Sequence, residues 1–483
     1  MRFFPSLLSF TLLSSLLAVA VPLPLCAQTE QSQPQSTASE SKDNTPVTAH
    51  SAEAIDSTKL SPPPQSVVAG AHELTLNEAI ERAMARSYSV AQAEATRDAQ
   101  KEASRGAISR LGPSATVSYN ELRFGKQQVA NFGGQNLILR GDATKNGSLI
   151  VTQPITGLYG YIENARLNTL QENITEEQLR QAKADAGFAG AQAFLNAYAT
   201  EEQVSIEEAS VAAAKSAFND ANVMNRVGRI NQADFLKFQL SLTQAETRLS
   251  QARATRTVAI VNLRRVTQMP DQETFYLKKE LPEPKNTEVA TEQSIAAAMK
   301  DRPDIKTAEM NAEAVGFSKK LAYTEFIPSV DVFGQLDRNF GEITALGNQE
   351  RNVQYWGVRA QWTFWNNGSS IFKVREAFAK TRGAEAAYAS AKDGVRVEVI
   401  QAVENLKAAR ETLHQAEAGI KQAAEAYRID QIRYKNGGIT ASDRILSEST
   451  QSSVQGQWVA ARTNLLGWYF QLQKAMGQEK PTL

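Results

Sequence analysis

Cysteine is nearly missing from this chain: Cys26 is the only one in 483 residues. Histidine is scarce as well, with His50, His72 and His414 widely separated. One thiol builds neither a disulfide framework nor a cysteine metal site. His72-Glu73 lacks the second histidine of a zinc-protease helix, and His414 reads as a solvated helix position. Gly133-Gly134 has no helix start beside it, so no phosphate-binding glycine loop is present. The chain therefore offers no catalytic constellation, no metal site and no cofactor site, and reads as a non-enzyme. An excess of one charge is also lacking, since Lys+Arg and Asp+Glu both number 52. That argues against a nucleic-acid binder, which usually carries a basic surplus. Beyond the first residues no run of eighteen apolar residues occurs, so no transmembrane helix is expected.

The beginning of the chain is patterned for export. Arg2 supplies a positive charge, Leu7 to Leu17 form a short apolar-rich run, and small-residue sites follow at Ala18-Val19-Ala20 and Leu25-Cys26-Ala27. This predicts a secretory signal peptide over 1–27, cut after Ala27. A buried N-terminal helix is the plainer alternative, but nothing amphipathic supports it. Leu25 stands where a lipid-attachment site wants a small residue, which disfavours lipidation of Cys26. Residues 28–72 are rich in Ser, Gln, Thr and Pro and predict a disordered leader.

An internal repeat organises the rest. Ile80, Met84, Val90 and Pro113 align with Ile295, Met299, Ile305 and Pro328, each 215 residues apart. Gly228, Ile230, Asp234 and Leu263 align with Gly437, Ile439, Asp443 and Leu472, each 209 apart. The change of offset puts a six-residue length difference in a loop, while Pro and Gly punctuation recurs in both copies. Each copy reads as helix, strand, loop, strand, very long helix, turn, helix. The first repeat spans 73–270, with a helix from about Leu76 to Leu111, a strand pair at 114–156 and a helical hairpin at 158–267. A linker, 271–290, precedes the second repeat at 291–478, whose strand pair is 329–365 and whose hairpin is 369–476.

In the strands apolar and polar residues alternate: Ala115, Val117 and Tyr119 in the first copy, and Val358, Ala360, Trp362 and Phe364 in the second. Such alternation marks a strand with one apolar and one polar face. About ten residues suffice for a tilted membrane crossing, and Trp356, Trp362 and Trp365 suit an interfacial aromatic belt. Two ordinary solvent-facing hairpins would alternate in the same way. The connecting loops are Gly125–Gly147 and Gly341–Asn352. The helices 158–225 and 369–435 contain no proline and predict lengths on the order of 100 Å, so they must pack as antiparallel coiled coils. They turn at glycine-bearing tips, Gly228 in one hairpin and Gly437-Gly438 in the other.

Strands without a transmembrane helix can cross a bilayer only as a closed barrel. Four strands are too few for one chain, since single-chain barrels start at eight. Two copies would give eight strands around a filled interior. Three would give twelve around an open lumen, though the sequence does not itself carry the number.

The repeat, the Arg302-Pro303-Asp304-Ile305 run, the helix-ending prolines and the tip Tyr434-x-x-Gly437 with Asp443 six residues on resemble TolC-type outer-membrane efflux proteins. The resemblance covers about residues 73–478. It implies a mainly α fold with a β-barrel portion: a homotrimer with a twelve-stranded barrel in outer-membrane lipid and an α-helical tunnel through the periplasm. It further implies a passive duct in a tripartite efflux or type I secretion system, partnered by a periplasmic adaptor and an inner-membrane pump. Asp234, Asp443 and Tyr434 match positions at the family's periplasmic gate, with Arg229, Arg433, Lys435 and Arg444 as possible ion-pair partners. Leu446 stands where a second acidic ring often lies. Helix capping is the simpler role for both aspartates, and the two roles are compatible. A soluble coiled-coil scaffold would leave the repeated strands unexplained, and an exported enzyme on a helical stalk would lack a compact domain.

Overall fold

The computed structural model describes residues 72–482 except 271, 279, 285–289 and 341–351. The expected signal peptide, nearly all of the leader, Cys26 and most of the second loop lie outside the described residues. The first repeat runs through β1 (His72–Leu74), α1 (Leu76–Arg86), α2 (Tyr88–Ser109), β2 (Ser114–Arg123), β3 (Gln128–Phe132), β4 (Gln135–Arg140), β5 (Ala143–Pro154), α3 (Gly157–Arg226) and α4 (Gln232–Thr267). The second runs through β6 (Phe275–Leu277), α5 (Thr291–Asp301), α6 (Pro303–Tyr323), β7 (Ser329–Asn339), β8 (Asn352–Gln361), α7 (Ser369–Lys435) and α8 (Ala441–Ala475).

The structure departs from the sequence reading at four places. The helix expected over 76–111 is two helices, because Ser87 adopts an extended backbone with ψ 138°. Its counterpart in the second repeat is Arg302, ψ 127°, which precedes Pro303 and so disfavours helix. The loop 125–147 contains the hairpin β3–β4, in which Gly133 and Gly134 take φ +57° and +87°. Two positive-φ residues make the two-residue turn that strands of normal twist require. The strand after it starts at Ala143, within the expected loop, and pairs with β2 from Ala143↔Arg123 onward. The segment read as a linker contributes β6, which pairs in parallel with β1.

The helices α3 and α7 have 70 and 67 residues, about 100 Å each at 1.5 Å per residue. Each ends at a positive-φ glycine, Gly228 at +74° and Gly437 at +73°, which reverses the chain with no Cβ penalty. Two apolar cores clamp the hairpins at the end nearer the short helices. One gathers Ile80, Phe194, Leu195, Leu263 and Phe470, and the other Ala298, Val399, Val403, Leu406 and Leu472. At Arg302 the side chain donates to both Asp304 oxygens at 2.9 and 2.7 Å, to Glu398 at 2.7 Å and to the Ala475 carbonyl at 3.2 Å. It thus ties the start of α6 to α7 and to the end of α8. Burial opposes both charges of the Arg302–Asp304 pair, but the paired hydrogen bonds prevail and hold the Asp304 carboxyl below its ordinary 3.8.

Candidate functional site

Two regions carry the residues singled out by the sequence. At the hairpin tips, α4 and α8 both begin with a side-chain cap. Asn231 accepts a hydrogen bond from the Asp234 N–H at 2.7 Å. Thr440 accepts from the Asp443 N–H at 3.2 Å, and the Thr440 N–H donates back to Asp443 at 3.1 Å, closing a capping box. The Thr440 hydroxyl also donates to Asp443 at 2.8 Å. These contacts hold the Asp443 carboxyl below its ordinary value. Asp234 makes no reciprocal bond. Its carboxylate instead pairs with Lys237 one turn on, at 3.0 Å.

The cations expected beside these carboxylates stand apart from them. Among the described residues, none of Arg229, Arg433, Lys435 and Arg444 forms an ion pair of 4 Å or shorter with Asp234 or Asp443. Arg444 is buried at 3% exposure, with its guanidinium 5.0 Å from the centre of the Tyr434 ring and 5.7 Å from that of Phe238. Tyr434 packs edge-on against Phe238 at 5.6 Å, and its buried hydroxyl has no hydrogen-bond partner. Burial pushes that hydroxyl's pKa up, with Arg444 opposing and Asp234 and Asp220 adding. Phe238, Ala217, Ala221 and Ala441 form the apolar centre of this cluster, so the two tips of one chain are packed together.

A buried polar seam lies a turn or more further in. Glu448 is 6% exposed; burial raises its pKa, against the fields of Arg444 and Arg248. Arg248 in turn donates to Glu207 at 3.2 Å and to Ser210 at 3.3 Å. Sequence reasoning missed Phe238, Arg248 and Glu448, since nothing local distinguishes them from solvated or generic coiled-coil positions.

The second region is a four-stranded antiparallel sheet in the order β2-β5-β7-β8. Its register sorts the alternating side chains into two faces. Ala115, Val151, Gly334 and Trp356 form one row across all four strands, and Val117, Leu149, Leu336 and Gln354 the next. Val332 and Val358 continue this apolar face toward the helices. On the opposite face, Thr116, Ile150, Gln335 and Tyr355 align, as do Ser118, Ser148, Asp337 and Val353. There Asp337 accepts from Gln335 at 2.8 Å and from the Tyr355 hydroxyl at 3.2 Å. The register puts Trp356 in mid-strand. Trp362, by contrast, follows the end of β8, close to the helices. Trp356, Trp362, Phe364 and Trp365 are 82%, 60%, 81% and 71% exposed. Large apolar side chains this open mark a surface that another phase or another chain covers. Strands β2 and β8 leave the two edges of the sheet unpaired among the described residues.

Among the described residues no helix is long and apolar enough to cross a membrane, and no group of His, Cys, Asp and Glu could hold a metal ion. Residues 295–478 match the sequence model of the outer membrane efflux protein family. No curated protein matches the chain in sequence. Among solved structures, the CmeC outer membrane channel of Campylobacter jejuni superposes with TM-score 0.73 at 16% identity, over 83% of this chain and 85% of that one. The outer membrane protein VceC of Vibrio cholerae gives 0.67 at 17% identity, over 83% and 96%. The MtrE outer membrane channel of Neisseria gonorrhoeae, in its open state, gives 0.66 at 18% identity, over 83% and 88%.

Proposed function

We propose that this chain, whose residues 295–478 match the outer membrane efflux protein family and which has the fold of solved outer membrane channels, is one protomer of a trimeric export duct. The observation that carries the reading is the open sheet, apolar on one face, polar on the other and joined to helices on the order of 100 Å long. In hydrocarbon every backbone donor and acceptor must be paired, so two free strand edges are tolerated only if neighbouring copies close them. Three copies make twelve strands, enough to leave a lumen. Exposed apolar residues on α4 (Leu236, Leu240, Val258 and Val261) and on α7 (Phe372, Phe378, Val397 and Ile400) are consistent with lateral packing of those copies. The mature chain then sits in the outer membrane, and its hairpins reach into the periplasm toward an adaptor and an inner-membrane pump, which supply the cargo and the energy.

On this reading the tips are the periplasmic mouth. Three copies of Asp234 and Asp443 gather up to six carboxylates there, favouring cations in a confined opening. Asp443 is held by its capping box, whereas Asp234, tied only to a half-exposed lysine, is the freer charge.

Fractionation and labelling test the placement. The protein should follow the outer membrane and need detergent for extraction. Cysteine at Asn136, in the hairpin at the end of the sheet remote from the helices, should react with an impermeant thiol reagent on intact cells. Recovery as a soluble periplasmic protein, or labelling only after lysis, would contradict it.

A further inference from the structure

We infer that the outward face of the sheet carries, at its loop end, a binding site for the phosphates of an outer-leaflet lipid. The inference rests on the barrel reading above. Its basis is the register. Lys145 stands directly opposite Glu121, and the Phe340 N–H donates to the Lys145 carbonyl at 2.8 Å. One row toward the helices, Tyr119, Gly147 and Arg338 align across three strands. Arg123 lies one row toward the loops, opposite Ala143. By the two-residue alternation all of these share the face of Val117, Leu149 and Leu336, which is the face turned to lipid.

Cations on a lipid-facing surface are tolerated only near an interface. Asn352, in the Arg338 row, is about ten residues from Trp362, or about 34 Å along a strand. At the usual strand tilt this corresponds to about 25 Å of height, the thickness of the apolar band of such barrels. The basic rows and Trp362 therefore mark opposite interfaces. Between them the outward residues are uncharged, and none of Gln153, Val330, Val332, Val358 and Ala360 brings a charge to the helix side. The positive charge belongs to the outer leaflet alone.

Within the cluster three cations face one carboxylate. Glu121 is taken by Arg123 at 2.9 Å. Among the described residues Lys145 and Arg338 have no carboxylate within 4 Å. Arg338 lies over the Phe340 ring at 5.1 Å, and that ring is 6.3 Å from Tyr119. A Cβ at Gly147 would come within 3.0 Å of Phe340, so glycine there lets the ring lie against the strand. The result is an aromatic platform with two donors at headgroup height, Lys145 opposite Glu121 and Arg338 over Phe340, neither of them in an ion pair of 4 Å or shorter. That suits an acyl chain lying beside the rings and a phosphate on Lys145 and Arg338, with Arg123 at the rim.

The test uses the full assembly purified in detergent and titrated with bisphosphorylated lipid A, with enzymatically dephosphorylated lipid A and with inorganic phosphate. Bound lipid is counted by native mass spectrometry. Bisphosphorylated lipid A should bind the wild type. The Arg123→Gln, Lys145→Gln, Arg338→Gln triple variant should bind it about a hundredfold more weakly, at about fivefold per charge removed near a headgroup layer. Lys145→Arg with Arg338→Lys should bind like wild type. Equal binding of dephosphorylated lipid A, undiminished binding by the triple variant, or equal occupancy by inorganic phosphate would overturn the site. If the triple variant does not assemble, the wild-type preference between the two lipid A forms decides alone. Conductance in zwitterionic bilayers without lipid A separates the two readings. No channel there would bring down the barrel reading, whereas a channel with no phosphate preference would remove only this site.

Discussion

Where α1 meets α3 in the first repeat, and α5 meets α7 in the second, equivalent positions are filled by different sizes. Ala186, Gly190, Phe194 and Ala197 are buried in α3; 209 residues on, Val395, Val399, Val403 and Leu406 are buried in α7. A Cβ at Gly190 would meet the Ala83 Cβ at 2.7 Å and the Ala79 carbonyl oxygen at 2.9 Å. The first repeat thus brings two helix backbones into contact and fills the remainder with Phe194. The second holds them apart on branched side chains and adds the Arg302 clasp, at a place where the first repeat has Ser87, whose side chain reaches only the Ser89 hydroxyl, at 2.8 Å. The repeat has kept the burial pattern and the element lengths while the two halves reached density by separate routes. It is the clasped half that matches the family's sequence model.

Exchanging residues between the halves probes this difference. The largest effect is expected from Gly190→Val, which imports the residue of the second repeat. Backbone cannot move aside as a side chain tip can, so overpacking should cost about 3 kcal/mol. The reverse loss, Val399→Ala, should cost about 2 kcal/mol as a cavity. Thermal unfolding in detergent, followed by far-ultraviolet circular dichroism, measures both, and a Gly190→Val protein as stable as wild type would refute the close contact.

Arg302→Ala should come next, at about 2 kcal/mol, below the range for a fully buried pair because Asp304 and Glu398 are each 37% exposed. Asp304 is held below its ordinary 3.8 in the fold, so its share of stability is present above about pH 4 and lost as pH falls through the lowered value. The penalty of Arg302→Ala should accordingly be full at pH 7 and shrink in more acid solution, while Ser87→Ala changes little at either pH. A penalty independent of pH would show that Arg302 acts through packing alone.

The tips should give the smallest stability effects. Thr440→Ala and Asn231→Ala each remove a cap, worth about 1 kcal/mol. Asp443→Asn should change stability less than either, since an amide oxygen at that position can still accept from the Thr440 N–H and only the charge near the helix start is lost. If the carboxylates also set selectivity, Asp234→Asn and Asp443→Asn should lower cation preference in planar-bilayer conductance, Asp234→Asn more so. Unchanged selectivity in both, singly and together, leaves the capping box as the role of Asp443 and the Lys237 pair at the helix start as that of Asp234.

The features legible in the sequence were those written in backbone punctuation and periodicity. The absence of proline marked α3 and α7, the glycines at 228 and 437 marked turns that do take positive φ, and alternation marked the apolar face of β2 and β8. The break at Ser87 was hidden because no proline enforces it, unlike the break before Pro303. Lys145 was hidden in a segment whose Gly and Asn content reads as loop, although Gly133-Gly134 is a hairpin signal. The burial of Arg444 is hidden for a different reason: charge leads one to expect solvent, and it takes Tyr434 together with Phe238 from the other hairpin to enclose that guanidinium.

On the function proposed above, one chain supplies a third of a barrel whose edges are closed by copies of itself. Native mass spectrometry of the detergent-extracted mature protein tests it most directly. The expected mass is that of three chains, surviving mild detergent and collapsing to one on heating. A monomer or a dimer as the largest stable species would contradict the account.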